Sequence, residues 1–365
     1  MHGMQPSPID FGDLRRALVI KLRHHGDVLL SSPVISALKQ AAPQCEIDAL
    51  VYADTRPMLA EHPALAQLHT IDRDWKRRGI VHQAQAEWRL LAGLRARRYD
   101  LVVHLTDHPR GAWLVRLLRP RWAVAPQCPD RSARSWVGSF THLSPPALAG
   151  RHTVETHLDS LRCLGLQIPE NSVPLTLVAG REAEASVDAR LAKHSLAPGR
   201  FIHIHPASRW LFKCWPANRF AALCDALAQE GWPIVLTAAL DPKEKAMVEE
   251  IVARRAVLSA PTFDFSGQLS LKELAALTAR ARLFVGVDSA PMHIAAAMGT
   301  PTVAIFGPTG DREWGPWNVA SRIVTSAEHP CRPCGSDGCN GSKISECLTT
   351  LPVAQVLAAC EELLT

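Results

Sequence analysis

Short runs of contiguous apolar residues alternate along this chain with longer stretches whose apolar positions recur every three or four residues. The runs have the length of buried strands, and the longer stretches have helical period. From the N-terminus the pattern predicts strands over 16–22, 46–51, 67–71, 100–105 and 122–125. Helices are predicted over 28–41, 83–98, 108–118 and 153–164. Pro33 falls inside the first helix, where it is tolerated only near the start. Residues 126–150 hold several prolines and small residues and read as a loop near a ligand cleft. Periodicity lapses over 171–184, the predicted crossing between domains, and a new helix begins at about Arg181. The second half repeats the theme: strands over 201–205, 233–237, 283–287 and 302–306, helices over 216–229, 242–255, 270–280, 290–298 and 352–364. Strand–helix alternation throughout predicts an α/β protein with doubly wound parallel sheets. A chain of 365 residues is too long for one ordinary core. The expected domains are 1–175 and 176–365, with a ligand cleft between them.

Composition narrows the setting. Hydrophobic content of 47% and charged content of 21% are those of a globular protein. The first sixteen residues carry acids and prolines where a secretory signal needs an apolar core, and no apolar run reaches the length of a bilayer span. The expectation is a cytosolic protein that at most touches a membrane surface, its ten cysteines thiols or metal ligands rather than disulfides. The net charge of +5 is uneven: residues 1–175 hold 22 Lys and Arg against 16 Asp and Glu, and the remainder 18 against 19. Lys76-Arg77-Arg78, Arg95 to Arg98 and Arg110 to Arg121 concentrate it, which points to an anionic partner for the first half. Taken singly, each cluster also reads as a solvated basic face. No GxGxxG follows the first strand and no GxxxxGK[ST] occurs, which argues against a nicotinamide-binding dehydrogenase and removes the P-loop.

Three stretches can carry chemistry. Asp27 lies just past the first strand, where a carboxylate can take a proton from an incoming hydroxyl; it reads equally as the N-cap of the helix that follows. His24 and His25 beside it are candidates to orient it. The loop His205 to Pro216 follows the strand FIHIH. Its Ser208, Arg209 and Lys213 suit a diphosphate, and a preplaced lysine stabilises the charge that grows on a departing one. The plainer reading makes Lys213 a surface residue between two packed tryptophans. Asp288-Ser289 ends the strand at 283–287 and precedes an Ala-rich helix. Backbone N–H groups there suit a phosphate, whereas Asp288 alone also reads as an N-cap. His293, on an apolar helix, reads by itself as a satisfied core histidine.

The run GDVLLSSPVISALK after the first strand, the loop SRWLFKCWP, and GVDSAPMHIAAAMGTPTVAIFGPT together resemble the ADP-heptose:lipopolysaccharide heptosyltransferase family. The WLFKCW form of the central loop most resembles the branch called lipopolysaccharide heptosyltransferase III. The motifs span both halves in the family's order, so the resemblance covers nearly the whole chain. It implies a GT-B fold, two Rossmann-like domains facing across a cleft. The first domain would take the growing core oligosaccharide and the second the ADP-heptose. By motif position Asp27 matches the general base and Lys213 the lysine on the donor diphosphate. Ser208 matches a hydroxyl near the phosphate, with Arg209 beside it in the same loop. Asp288 matches the acid near the donor sugar, with helix-start amides at Ser289 and Ala290 and an imidazole at His293. Trp210-Leu211-Phe212 stand where other members have polar residues. The implied reaction is a single inverting displacement from ADP-heptose onto a heptose of the inner core. It requires no cofactor, because Lys213 and the helix dipole supply positive charge. The basic first half then has a partner: a phosphorylated inner-core lipopolysaccharide acceptor at the cytoplasmic membrane face, with no nucleic acid involved.

Cys331, Cys334, Cys339 and Cys347 stand apart. Their spacing resembles a metal knuckle, although only the first CxxC has standard zinc spacing; the alternative is a thiol-rich loop. Two competing readings follow. One keeps the fold and makes the protein a nucleotide-sugar epimerase or hydrolase, which leaves the basic half unexplained. The other is a zinc-ribbon nucleic-acid-binding module, against which stands the distance in sequence between the CxxC and the arginines.

Overall fold

A computed structural model describes residues 8–128, 134–256 and 259–365. The first seven residues of the N-terminal stretch and residues 129–133 of the predicted 126–150 loop lie outside the described residues. The chain separates into two compact units, up to Thr176 and from Leu177.

The N-terminal unit contains β1 (Arg16–Ile20), α1 (His25–Leu29), α2 (Ser32–Ala41), β2 (Glu46–Tyr52), β3 (Leu65–Ile71), α3 (Ile80–Arg97) and β4 (Leu101–His104). It continues with α4 (Pro109–Leu118), β5 (Trp122–Pro126), α5 (Arg134–Val137), β6 (His142–Ser144) and α6 (Thr153–Arg162). Its six strands are parallel in the order β3-β2-β1-β4-β5-β6. The single helix expected over 28–41 is two: α1 ends at Leu29, and Pro33 sits in the first turn of α2, where its missing N–H has no helical partner to lose. β6 occupies part of the predicted loop at 126–150.

The C-terminal unit contains α7 (Arg181–Lys193), β7 (Ile202–His205), α8 (Ala217–Gln229), β8 (Ile234–Leu236), α9 (Pro242–Arg254), β9 (Thr262–Asp264) and α10 (Leu271–Ala279). Then come β10 (Leu283–Val287), α11 (Ala290–Ala297), β11 (Thr302–Ile305), α12 (Asp311–Trp314), β12 (Ser321–Val324), α13 (Glu346–Thr349) and α14 (Val353–Leu364). Its parallel sheet runs β12-β11-β10-β7-β8-β9. Counted from each unit's first strand, this is the same order as in the N-terminal unit.

β1, β4, β7 and β10 are buried along nearly their whole length because helices cover both faces, which is why they read as continuous apolar runs. In the N-terminal unit Leu18, Ile20 and Val102 pack with Leu94 of α3 and Val115 of α4. In the C-terminal unit Ile204, Val285 and Ile305 pack with Trp215, Phe220 and Val356, while Phe284, Met292 and Phe306 fill the other face. One charge is buried deep in the first core. Asp48 of β2 accepts hydrogen bonds from Tyr99 Oη (2.7 Å) and Arg97 Nε (2.8 Å). Burial pushes its pKa up, but the hydrogen bonds from His69, Arg97 and Tyr99 outweigh that and hold it below the usual carboxylate range. Arg97 is therefore committed to the core, not to an outside partner, although it lies within the Arg95 to Arg98 cluster.

Candidate functional site

In each unit the strand order reverses between the first and fourth strands, and the loops leaving those two strands diverge to opposite sides of the sheet. Ligands of open α/β sheets bind at that switch point. The candidate residues sit at these two places.

In the N-terminal unit the switch point lies between β1 and β4. Lys21 follows β1 and is 5% exposed. Its Nζ donates to Leu105 O (3.0 Å), just past β4, and to Nε2 of His157 on α6 (2.8 Å). Its remaining direction faces Asp27 Oδ1 at 3.7 Å. His157 Nδ1 lies 3.0 Å from Leu30 O, which can only accept, so Nδ1 carries the proton and Nε2 is free to accept from Lys21. Burial pulls the Lys21 pKa down to about 8, with Asp27 opposing the fall. Burial first, and then the Lys21 charge, hold His157 neutral, its pKa well below the ordinary value. Asp27 is in the first turn of α1 and is not its N-cap; His24 holds that position. His25 turns away, its Nε2 3.0 Å from Asp54 O. The group that faces Asp27 is Lys21, which the sequence reading left without a role. The available signal was a lone lysine closing the apolar run RALVIKL, because a charge at the edge of a core needs partners.

In the C-terminal unit the switch point lies between β7 and β10. Lys213, at the end of a short 3-10 turn after β7, donates from Nζ to Asp288 Oδ2 at 2.7 Å. Thr309, past β11, donates its hydroxyl to the same oxygen at 2.6 Å. Asp288 is thus not a helix cap: Ser289 occupies the N-cap of α11, and its hydroxyl turns back to Val287 O (3.3 Å). Ser208 is buried and accepts from Trp210 N (3.4 Å). Arg209 is exposed, with its guanidinium 5.3 Å from the Trp210 ring centre. Ala290 is half-buried at the start of α11, and His293 is buried on the core side of that helix. Lys213 does not lie between two packed tryptophans. Trp215 is fully buried, but Trp210 is 47% exposed. The lysine and its carboxylate are brought together, with Ser208, Ser289 and Ala290 on the loops leaving the same two strands. Thr309 closes the longest motif, and the sequence reading gave it no role of its own.

Behind Lys213 the loop is tied to the end of the chain. Ser345 Oγ donates to Phe212 O (2.6 Å), and both Trp215 Nε1 (3.1 Å) and Arg219 Nη1 (2.8 Å) donate to Leu351 O. The cysteine segment lies in this tie. Cys347 is buried with Leu348 and Leu351, whereas Cys331 and Cys334 are exposed. Among the described residues, no group of three or more His, Cys, Asp or Glu side chains is disposed to hold a metal ion.

The fold is shared with solved proteins. A family 9 glycosyl transferase from Veillonella parvula superposes with a TM-score of 0.80 at 22% identity, over 98% of this chain and 99% of that one. The E. coli heptosyltransferase WaaC solved with ADP gives 0.70 at 20% identity, over 95% and 99%. Two Rossmann-like units of this topology define the GT-B class of glycosyltransferase fold. In sequence, the chain is 36% identical over 343 residues to lipopolysaccharide heptosyltransferase 3 of Escherichia coli, covering 94% of this chain and 97% of that protein. The model of glycosyltransferase family 9 (heptosyltransferase) matches residues 87–345. The chain belongs to glycosyltransferase family 9. That membership favours neither the epimerase or hydrolase reading nor the zinc-ribbon one.

Proposed function

We propose that this protein transfers L-glycero-D-manno-heptose from ADP-heptose to a heptose of the lipopolysaccharide inner core, the heptosyltransferase III step. The observation that carries the reading is the Lys213–Asp288 pair at the β7/β10 switch point of a family 9 chain. The 36% identity to a protein named for that step supports it. In this reading the C-terminal unit holds the donor. Lys213, Ser208, Arg209 and the amides at Ser289 and Ala290 engage the diphosphate, while Asp288 and His293 lie towards the donor sugar. The N-terminal unit takes the acceptor. Asp27 removes the proton from the acceptor hydroxyl as its oxygen attacks the anomeric carbon. The bond from that carbon to the diphosphate oxygen breaks, the anomeric centre inverts, and ADP leaves with its growing charge on Lys213. The ammonium is poised for this: held by one carboxylate oxygen, it keeps two N–H donors for phosphate oxygens. Lys and backbone amides supply the positive charge, so the reading calls for no cofactor. A lipid-linked, phosphorylated acceptor places the protein at the cytoplasmic membrane face, in peripheral contact through its basic N-terminal unit. No helix of the described residues is long and apolar enough to cross a membrane.

The test is transfer from ADP-heptose to truncated cores carrying one, two or three heptoses, read by mass. One heptose added to the two-heptose core alone is the expected result. Addition to a shorter core moves the step within the family, and hydrolysis of ADP-heptose without transfer overturns the reading. Asp27→Asn should abolish turnover and leave ADP binding intact; lost ADP affinity would make Asp27 structural.

A further inference from the structure

Among the described residues of the N-terminal unit, five of the seven exposed large apolar side chains (Ile80, Val81, Trp88, Trp113 and Leu117) lie on α3 and α4. α3 contributes little to the core, with Leu94 its only fully buried residue. Away from the core-packed Leu90 and Leu94, Val81 (72% exposed) and Trp88 (70%) share an arc of the helix with Arg95, and Ile80 (86%) stands exposed at its first position. On α4, Trp113 (63% exposed), Leu117 and Arg116 share a face. The Glu87–Arg110 ion pair (2.6 Å) joins the two helices beside these faces. The apolar residues are interleaved with cations. Residues 73–121 hold 12 Lys and Arg against 4 Asp and Glu. Among the described residues no carboxylate pairs with Lys76, Arg89 or Arg95. Lys76, Arg77 and Arg78 also stand just before the start of α3, where the helix dipole is already positive. Arg77 and Arg78 are offset there only by exposed ion pairs with Asp74 and Asp72 (3.3 Å each), and Lys76 by no carboxylate among the described residues, so an anionic surface lying against the three would be favourable.

We infer that the outer face of α3 and α4 docks on an anionic phospholipid bilayer, with Ile80, Trp88 and Trp113 entering the headgroup layer and the flanking cations meeting lipid phosphates. Tryptophan suits that depth, having an apolar body and a polar N–H. A protein partner is the weaker fit, because cations interrupt the apolar side chains where an interface core is depleted of charge. The inference rests on the proposed function for its purpose, since a lipid-anchored acceptor lies in such a surface, but its evidence is the composition and exposure of this face alone.

The experiment is co-sedimentation of the full chain with vesicles of phosphatidylcholine, with and without one quarter phosphatidylglycerol. Binding to the anionic vesicles in 0.1 M salt is expected, falling in 0.5 M salt and absent from the neutral ones. W88A and W113A should each weaken binding about tenfold. Lys76→Gln combined with Arg77→Gln and Arg78→Gln should weaken it independently of any effect on packing, since all three are exposed. No anionic preference, or binding unchanged in every variant, overturns the inference. So does self-association in solution that W88A and W113A abolish, because a second copy would then cover the face. Transfer to a deacylated, water-soluble acceptor separates the two claims. Wild type that transfers but ignores vesicles sinks only the docking surface; wild type that binds vesicles but never transfers supports the surface and sinks the function.

Discussion

Replacing Lys213 by alanine isolates the interaction on which the proposed donor site is built. Side-chain exposures of 20% for Lys213 and 9% for Asp288 make this a partly buried pair, well above a surface salt bridge in worth. Without the ammonium, Asp288 keeps only the Thr309 hydroxyl on a carboxylate that water reaches poorly. The cost to the C-terminal unit should be about 3 kcal/mol, at the lower edge of the range for breaking a buried pair because the lysine end is partly wet. Asp288→Asn should cost less, about 1 kcal/mol, since the freed lysine can turn towards solvent. The double variant should cost about 2 kcal/mol less than the sum, because removing both charges leaves nothing unpaired. Two units need not unfold together, so a single melting temperature is the wrong measure. Native-state hydrogen exchange of the β7 and β10 amides reports on this unit directly. Additive effects, with a coupling energy under about 0.5 kcal/mol, would refute the reasoning. The pair would then be incidental, and Lys213 would be held by something else.

Two further outcomes test the frame around the site. Lys21 is held near pH 8 in the fold against an ordinary 10.5. The unfolded chain therefore keeps its proton longer, and stability should rise between about pH 8 and 10.5, by about 3 kcal/mol in all. Relative to Lys21→Met, measured at pH 7.5 and 10.5 so that other titrating groups cancel, wild type should gain that amount; an equal difference at both pH values would refute it. Gly286 of β10 has no room for a side chain, since a Cβ there would sit 2.7 Å from the Phe284 ring and 3.1 Å from His205 O. Gly286→Ala should lower the stability of the C-terminal unit by about 1–3 kcal/mol and weaken ADP binding, both visible in a melt with and without ADP; a variant as stable as wild type would mean that β7 and β10 can part freely.

The strands nearest each switch point were legible because burial on both faces makes them continuous apolar runs. β6, β9 and β12 were not. Each is a sheet edge of three or four residues, too short for a period to show, and parts of β9 and β12 face water. Pro33 signalled trouble in the first helix, but where α1 stops depends on a turn at Leu30 and Ser31 that propensity does not resolve. At the site, Lys213 and Asp288 could be singled out separately from their places after strands. Their contact spans 75 positions and depends on β7 lying beside β10, a fact of topology. Lys21 and His157 are 136 positions apart and meet for the same kind of reason. Local reading also misplaced both caps: α1 begins two residues before Asp27, with His24 at its N-cap, and the Asp288 carboxylate is engaged by Lys213, 75 positions away, leaving Ser289 at the N-cap of α11.

The tie from Phe212, Trp215 and Arg219 to Ser345 and Leu351 bears on how the protein is made. Synthesis proceeds from the N-terminus at about 5–20 residues per second, and domains fold largely as they emerge. The N-terminal unit can therefore close while the ribosome is still translating the second half. The loop that bears Lys213 cannot be finished then, since its hydrogen-bond partners and the α14 residue Val356, which packs into the same core as Trp215, come well over a hundred codons later. A chain truncated short of Leu351 would have a formed N-terminal unit and an untethered Lys213 loop. The Lys213 loop thus reaches its final form last, once translation has run far enough to seal the second core.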